Sequence, residues 1–285
     1  MKASNHVQGA GLGLRRSMMT GDIVSLPSNT DFVEVAPENW IGVGGRYGKR
    51  LRAVSESLPV VAHGLSLSIG GMAPIDREYI LSIRDFIQQH NIRLYSEHLS
   101  YTDDGSQLYD LLPLPFTEEA VHYVAGRVRQ VQDILGLKLA LENVSYYLSP
   151  QPGVDAPLSE SEFINAVLDT ADCELLLDIN NVYVNSVNHA CNAMDFIDSM
   201  PADRISYYHV AGHYVEEDGL IIDTHGADVI DPVWRLLAYT YQTKGVRPTL
   251  LERDFNIPDS DVLAQELLMI SKLQQGVPDE HQTAA

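Results

Sequence analysis

Eight short runs of β-branched, leucine and aromatic residues recur along the chain, and longer segments with helical periodicity separate them. The runs cover residues 9–15, 32–37, 60–67, 94–100, 139–145, 175–183, 205–212 and 249–254. Strands that alternate with helices pair in parallel through right-handed crossovers. Eight such units predict an α/β fold, a single closed (β/α)8 barrel.

Four of the intervening segments carry clear helix signals. Each combines one apolar face with a recognisable end, such as a threonine or Asp-Pro start, a capping box of Ser159 and Glu162, or a closing glycine. These segments cover residues 76–91, 117–136, 159–171 and 231–245. Their signals support the alternation on which the barrel prediction depends.

A doubly wound sheet is the main structural alternative. Its dinucleotide-binding form needs a G-x-G-x-x-G turn from strand to helix, and no helix start follows the glycines of residues 9–13 at the right distance. A length of 285 residues suits one barrel. We therefore expect a barrel domain over residues 1–275 and a disordered polar tail over residues 276–285.

Charge and composition exclude several classes of partner. The formal net charge of −20 repels nucleic-acid phosphates and anionic lipid, and the basic segment 45–52 has the spacing of a solvated helix face. Cys173 and Cys191 are too few for a disulfide framework. No secretory signal core or membrane-length apolar run is present. We expect a cytoplasmic protein that binds neither nucleic acid nor membrane.

Nearly every predicted strand ends in a side chain that can bind a metal ion. Two further candidates follow the apolar run "LII" in the long loop between the last two strands. The strand-end residues are His63, His98, Glu142, Asp178, His209 and Glu252, and the loop residues are Asp223 and His225. Because the carboxyl ends of barrel strands form one face, we expect these side chains to meet there.

Each of these side chains has a structural alternative when it is taken alone. A histidine such as His63 after "VVA" is more often a hydrogen-bonded core residue, and Glu142 or Asp178 could pair with arginine or backbone N–H groups. Four carboxylates and four imidazoles buried at one mouth, however, need strong compensation. The chain has 19 Lys and Arg, and Arg15 and Arg253 are among the few near strand ends. Bound cations therefore explain the set best.

Imidazole and carboxylate ligands without thiolate suit iron, zinc or manganese. Eight or nine ligands exceed what one ion of four to six coordination sites can use, which predicts two or three metals bridged by carboxylates. The two-residue spacing of Asp223 and His225 would place both on one side of an extended segment, and Asn181 would join Asp178 across a strand end. An amide oxygen is a weak ligand, so Asn181 predicts one looser site.

Nine strings in the sequence carry a family resemblance. They are "GLGLR", "VEVAPENW", "HGLSLSIG", "SEHLSY", "LALENVS", "LLLDINNVYVN", "HVAGH", "DTHG" and "LLERD", in this order from Gly11 to Asp254. Together they resemble the multinuclear non-haem iron-dependent oxidative enzymes of the xylose-isomerase-like TIM-barrel superfamily. This chain is short for the family, and with "HGLSLSIG" and "DINNVYVN" it is most similar to the bufferin-associated branch.

The resemblance implies an enzyme that holds two or three iron ions of mixed Fe2+ and Fe3+ state and uses O2. Its substrate would be a cysteine-containing, ribosomally made precursor peptide, modified for example to oxazolone and thioamide groups, in a setting such as copper homeostasis. A separate peptide-recognition partner protein is also implied. The metal cluster itself would carry the chemistry, without an assigned protein base.

Carried over by position, the implied metal ligands are His63, His98, Glu142, Asp178, Asn181, His209, Asp223, His225 and Glu252. Asn181 stands where some family members have a histidine, which leaves the third metal position open. Further candidates for substrate or outer contacts are Glu38, Asn39, Asn143, Asn180 and His213. For Glu38 and Asn39, which follow Glu34 at a strand end, the alternative is a set of hydrogen bonds that anchor the loop. Asn143 and Asn180 would have a structural role if their strands stay regular. For His213 the alternative is exposure to solvent.

Two long segments, residues 145–159 and 101–116, are candidates for a lid or a peptide platform. Two other functions remain open from the residues. One is a divalent-metal sugar isomerase, epimerase or endonuclease-like hydrolase on the same barrel, although the acidity of the chain disfavours the endonuclease. The other is a non-catalytic barrel that only holds a peptide.

Overall fold

A computed structural model describes residues 7–19, 24–103, 107–148 and 158–276. It confirms the predicted (β/α)8 barrel, which closes in the order β1, β2, β3, β4, β7, β8, β9, β12 with every neighbouring pair parallel. The strands of the chain are β1 (Ala10–Gly13), β2 (Phe32–Val35), β3 (Val60–Gly64), β4 (Tyr95–His98), β5 (Ser100–Asp103), β6 (Gln107–Pro113), β7 (Leu139–Glu142), β8 (Glu174–Asp178), β9 (Ile205–Ala211), β10 (Tyr214–Val215), β11 (Ile221–Ile222) and β12 (Thr249–Glu252).

The α-helices that surround the barrel are α1 (Gly45–Ser57), α2 (Arg77–Gln89), α3 (Glu118–Leu135), α4 (Glu160–Ala171), α5 (Ile179–Asn188), α6 (Ala193–Ser199), α7 (Asp231–Lys244) and α8 (Ser260–Gln274). The four helices predicted from end signals all form. Ser159 and Glu162 make the predicted capping box of α4, and Gly136 ends α3 with a φ of 72°. The basic segment at residues 45–52 forms the start of α1, as predicted, with Arg46, Lys49 and Arg52 exposed to solvent. Arg50 departs from the predicted solvated face, because it is buried and donates to the carbonyl of Met19.

The strand alternation organises the barrel interior into layers. Six side chains pack together inside the barrel, one from each of six strands: Phe32, Val61, Ala140, Leu176, Tyr207 and Leu250. Because side chains on a strand alternate between its two faces, the residue two positions later on each strand also points inward, one layer closer to the carboxyl end. Those residues are Glu34, His63, Glu142, Asp178, His209 and Glu252. The apolar layer thus forms the floor of a polar layer at the barrel mouth.

Two short hairpins stand outside the barrel sheet. The first, β5 with β6, falls in the segment predicted as a platform, and the second, β10 with β11, lies between β9 and α7. The other predicted platform, residues 145–159, lies largely outside the described residues. So does the predicted tail beyond residue 276. Among the described residues, no helix has the length and apolar character needed to cross a bilayer.

The predicted strand over residues 175–183 is wrong in its second half. The strand β8 ends at Asp178, and α5 begins at the next residue. The Asp178 side chain accepts a hydrogen bond from the backbone N–H of Asn181 at 2.6 Å, which is the geometry of a helix N-cap. Asn180 and Asn181 therefore lie in the first turn of a helix, rather than on a strand.

Candidate metal centre

Three side chains converge where β3, β4 and β7 end. The Nε2 atoms of His63 and His98 lie 3.1 Å apart, and the Oε2 atom of Glu142 lies 3.0 Å from the first and 3.4 Å from the second. Two ring nitrogens and one carboxylate oxygen thus face a common point. His63 and Glu142 are almost fully buried.

Three further groups of the same kind continue around the mouth. Within each group the potential ligand atoms lie within 4.8 Å of one another. The groups are Glu142, Asp178 and His209; Glu34, His209 and Glu252; and His225, Glu252 and Asp254. Because Glu142, His209 and Glu252 each belong to two groups, the four groups form one continuous cluster. This arrangement is suited to carboxylates that bridge neighbouring cations.

The loop residues Asp223 and His225 join this cluster by a route that the sequence did not predict. His225 has a φ of 52°, so the segment turns and is not extended as the two-residue spacing suggested. The turn places Nε2 of His225 2.9 Å from Oδ1 of Asp223 and Nδ1 3.1 Å from Oδ2 of Asp254. The two residues meet because the backbone folds back, and not because of strand alternation.

Several buried polar atoms of the cluster lack a hydrogen-bond partner among the described residues. They are His98 Nδ1, Glu142 Oε2, Asp178 Oδ2, Asn181 Oδ1 and His225 Nε2. A buried polar atom without a partner is costly in a folded protein, and most such atoms are satisfied by a group, water or ion. Three of these atoms, Glu142 Oε2, Asp178 Oδ2 and His225 Nε2, lie within 4 Å of other ligand-type atoms of the same cluster. The donor set therefore fits bound cations.

Mutual electrostatics shift the pKa values in the cluster. Burial raises the pKa of Asp178 well above its usual range, and the neighbouring charges of Glu142 and Asp223 raise it further. For Glu252, burial favours the neutral acid, but the charges of His225 and His209 outweigh it and hold the pKa well below its usual range. Burial lowers the pKa of His98 to about 4. The mouth thus presents carboxylates that compete for too little positive charge.

Arginines supply little of that charge. Arg15 forms an ion pair with Asp254 at the edge of the cluster. Arg253, which we predicted as one of the few cations near a strand end, turns away and pairs with Asp228 and Glu266 at 2.6 and 2.7 Å. Among the residues that the structure describes, no lysine forms an ion pair with the cluster.

A cavity of about 740 Å3 opens above the cluster. Its floor includes His98, Asp223, His225 and Glu252, and its walls include Tyr147, Tyr214 and Phe255. The apolar and aromatic rim stands partly in solvent, with Tyr214 54% and Phe255 66% exposed. A pocket of this size with a polar floor is of the kind that receives a ligand or a peptide side chain.

Comparison with known families decides the classification. A family profile described as "RiPP precursor modification enzyme MbnB/TglH/ChrH" matches residues 9–275. The chain belongs to this family. The RiPP precursor modification enzymes act on ribosomally made peptides, so the resemblance seen in the sequence motifs is confirmed, and the chain is placed in an enzyme family.

Relatives of this chain with more than 50% sequence identity align over almost its whole length. A protein of Acinetobacter baylyi is 58% identical over 267 residues, covering 94% of this chain and 91% of the relative. One from Alcanivorax borkumensis is 55% identical over 284 residues, covering 98% and 95%. Both are described as UPF0276 proteins, a name that states no activity.

Solved structures share the fold of the RiPP-enzyme chain at low sequence identity. The 3-keto-D-glucoside 4-epimerase of E. coli aligns with a TM-score of 0.59 and 14% identity, covering 94% of this chain and 99% of the epimerase. A xylose isomerase domain protein of Alicyclobacillus acidocaldarius aligns with a TM-score of 0.57 and 15% identity, covering 94% and 98%. These likenesses show that the chain shares the (β/α)8 barrel fold of these proteins.

Asn143 and Asn180 hold parts of the cluster in this RiPP-enzyme chain. The Asn143 side chain donates to the carbonyl of Asp178 at 3.0 Å and accepts from its N–H at 2.8 Å. Asn180 donates to Oδ1 of Asp223 at 2.7 Å, and its own oxygen lies 2.7 Å from Nδ1 of His213. His213 is therefore buried behind Asn180 and does not face solvent.

Glu38 and Asn39 lie away from the cluster. Glu38 accepts hydrogen bonds from the backbone N–H groups of Leu65 and Ser66 and from the hydroxyl of Tyr79, so it anchors the loop after β3. Asn39 is exposed, and its carbonyl accepts from Arg16. This geometry matches the loop-anchoring alternative rather than contact with the cluster.

The sequence reasoning left two members out of the ligand-type set. The loop context of Glu34, next to Glu38 and Asn39, predicts anchoring or an outer contact, although a charged residue inside the strand string "FVEV" is the signal that it faces the barrel interior. Asp254 had no assigned role, yet it follows Glu252 by the same two-residue step that marks the inward face. Asn181 donates to Oε1 of Glu142 at 3.1 Å, and its own Oδ1 has no hydrogen-bond partner among the described residues.

Proposed function

We propose that this chain is a multinuclear iron-dependent enzyme that uses O2 to oxidise cysteine residues of a ribosomally made precursor peptide. The observation that carries the proposal is the continuous cluster of His, Asp and Glu groups with buried, unpartnered ligand atoms beneath an open cavity. Membership in the RiPP precursor modification enzymes supplies the class of substrate.

The cluster suggests how two or three irons would be held. The first group, His63, His98 and Glu142, would bind one ion, and Glu142 would extend to a second beside Asp178 and His209. His225, Glu252 and Asp223 would hold the third. Asn181, whose side chain contacts Glu142, would add a weaker oxygen ligand on the side of the first two ions. Imidazole and carboxylate sets with open positions are typical of non-haem iron.

The protein's own contribution is to bind and orient the peptide. The 740 Å3 cavity can admit a cysteine side chain with its flanking backbone, and the exposed rim residues Tyr214 and Phe255 offer apolar contacts to the neighbouring peptide residues. A thiol must lose its proton to bind a metal, and the carboxylates of the mouth can accept that proton. Bound iron would supply the redox chemistry that passes electrons from the cysteine residue to O2.

The test is co-expression of this chain with a cysteine-containing precursor peptide, followed by intact mass measurement of the peptide. We expect a loss of hydrogens or a gain of oxygen that depends on iron. Glu142→Gln should reduce product roughly 100-fold or more, because the carboxylate is shared by two groups. A matched control is Glu174→Gln, at the opposite end of β8, which should retain activity.

The two rival functions predict different results in the same experiment. A sugar epimerase on this barrel would leave the peptide mass unchanged in every variant, and its likeness to this chain at 14% identity concerns the fold alone. A binding-only scaffold would retain the peptide without changing its mass. An unmodified peptide in the presence of iron, O2 and any required recognition partner would contradict the proposal. That partner, a separate peptide-recognition protein, is part of the proposal.

A further inference from the structure

A chain of buried hydrogen bonds runs beneath the cluster and joins two of its imidazoles. Nδ1 of His63 lies 2.7 Å from Oγ of Ser96, which lies 2.5 Å from the hydroxyl of Tyr207. That hydroxyl donates to Oε2 of Glu34 at 2.9 Å, and the same oxygen lies 3.0 Å from Nε2 of His209. All five side chains are at most 4% exposed, so water does not compete for these contacts.

The chemistry of Glu34 fixes the direction of every bond in this chain. An ionised carboxylate only accepts, so Tyr207 must donate its single proton to it. The oxygen of Tyr207 then accepts from Ser96, whose alternative acceptor, the carbonyl of Ala62, is farther away at 3.5 Å. With its proton used, Ser96 accepts from the Nδ1–H group of His63.

These directions point the opposite ring nitrogens at the carboxylates of the cluster. Nε2 of His63 lies 3.0 Å from Glu142 and 3.1 Å from His98. His209 donates from Nε2 to Glu34, and its Nδ1 faces Glu252 at 3.2 Å and Asp178 at 3.9 Å. In the metal-free chain a proton on each of these nitrogens is shared with the carboxylate, and a bound cation would take the place of that proton. A histidine that binds a metal through one nitrogen needs an acceptor at the other, which sets its tautomer and orientation. The hydroxyl of Tyr207 lies between the two acceptors, Ser96 for His63 and Glu34 for His209.

We propose that Tyr207 is a positioning residue that sets the tautomers of His63 and His209 together, through Ser96 and Glu34. Tyr207 lies in the apolar floor of the barrel with Phe32 and Leu250, and its hydroxyl reaches the cluster through Ser96 and Glu34. Metal binding at the group of His63 and at the group of His209 therefore depends on one hydroxyl. The inference rests on the proposed function, because it requires that both groups bind metal.

Loss of the Tyr207 hydroxyl should disturb both rings. Without it, Ser96 can turn its proton toward Nδ1 of His63, which moves the ring proton to Nε2 and blocks the metal-facing nitrogen. Glu34 loses its second donor and is no longer held against His209. Loss of the Ser96 hydroxyl differs, because the bond from Tyr207 to Glu34 remains and only His63 loses its partner.

The experiment titrates the metal-free chain with Co2+ under anaerobic conditions and follows the absorption bands of the bound ion. Tyr207→Phe keeps the ring and should weaken binding at both groups by about 10-fold or more each. Ser96→Ala should weaken one binding phase by a similar factor and leave the other unchanged. The matched control is Tyr208→Phe, on the opposite face of β9, where the hydroxyl donates to the carbonyl of Gly245.

The outcomes separate this inference from the proposed function. A wild-type chain that binds no Co2+ would overturn both. Wild-type binding with Tyr207→Phe identical to Tyr208→Phe, or with only one phase shifted, would overturn the inference alone. Circular dichroism and the thermal midpoint of each metal-free variant report folding. Should Tyr207→Phe fail to fold, Ser96→Ala decides, because two unchanged phases in that variant contradict the chain of bonds.

Discussion

At the scale of single residues, strand alternation decides which neighbours enter the cluster. Glu252 and Arg253 are adjacent, yet Glu252 faces the mouth with His209 and His225, and Arg253 faces Glu266 of α8. The Arg253 side chain is 2% exposed, so it is a buried structural cation rather than a counterion of the cluster. This separation preserves the shortage of positive charge at the mouth.

Arg253→Met should therefore destabilise the fold without changing the metal content. The substitution leaves Glu266, whose side chain is 11% exposed, without its cationic partner. Breaking a buried pair in this way costs about 3–5 kcal/mol of unfolding free energy, which urea denaturation can measure. Arg204→Met, at an exposed ion pair with Asp172, is the control and should leave the midpoint nearly unchanged. An unaltered midpoint in Arg253→Met would contradict the assignment.

At the scale of elements, the end of β8 shows what the sequence could and could not predict. The run of apolar and β-branched residues in "LLLDINNVYV" fits a strand as well as a buried helix, because periodicity does not separate the two in short segments. The decisive signal was Asp178, which is a good N-cap as well as a metal ligand type. The prediction that Asp178 lies near the carboxyl end of a strand is confirmed, but the prediction that the strand continues to residue 183 is wrong.

The start of α4 predicts a pH dependence of stability. Burial raises the pKa of Glu160 from 4.5 to about 7, although Tyr146 and Asn185 offset part of the effect by donating hydrogen bonds. Glu160 ionises at a lower pH in the unfolded chain than in the folded one. Its contribution to the free energy of unfolding is therefore complete below about pH 4.5, falls as the pH rises, and levels off above about pH 7. The shift corresponds to roughly 3 kcal/mol of unfolding free energy at most.

Glu160→Gln should reduce the loss of stability between pH 5 and pH 8 by the contribution of this one carboxyl group, as urea unfolding at the two pH values can show. The neutral amide has no proton to lose, so the variant should gain stability relative to the wild type at pH 8 and little at pH 5. Glu162→Gln, two residues along the same helix and exposed, should retain the wild-type loss between the two pH values. Equal slopes in Glu160→Gln and the wild type would refute the prediction.

The side-chain amide of Asn188 in α5 holds the hairpin of β10 and β11 against that helix. The side chain of Asn188 donates to the carbonyl of Ile221 at 2.8 Å and accepts from its N–H at 3.0 Å, which covers the edge of β11. Asn188→Ala should raise hydrogen exchange at the Ile221 amide about 10-fold, the equivalent of one or two hydrogen bonds. Asn165→Ala removes the hydrogen bond from α4 to the carbonyl of Ser199 in α6 and should not alter exchange at the Ile221 amide. Unchanged exchange in Asn188→Ala would show that other contacts hold the hairpin.

At the scale of the whole molecule, the sequence predicted the barrel and its rim because both follow from local periodicity. Eight strand signals fix the fold, and each strand end fixes one polar side chain. Contacts across the barrel do not follow from local patterns: Glu34 meets His209 across 175 positions, and no spacing rule relates them. The same holds for His225, whose left-handed backbone brings it to Asp254.

The central claim is that these scattered carboxylates and imidazoles share bound iron. The most direct measurement is the iron and zinc content per chain after anaerobic purification from iron-supplied cells, by mass spectrometry of the elements. We expect two or three irons per wild-type chain and clearly fewer in Glu142→Gln. Stoichiometric zinc with no iron, or a wild-type chain that holds no metal after iron reconstitution, would contradict the account.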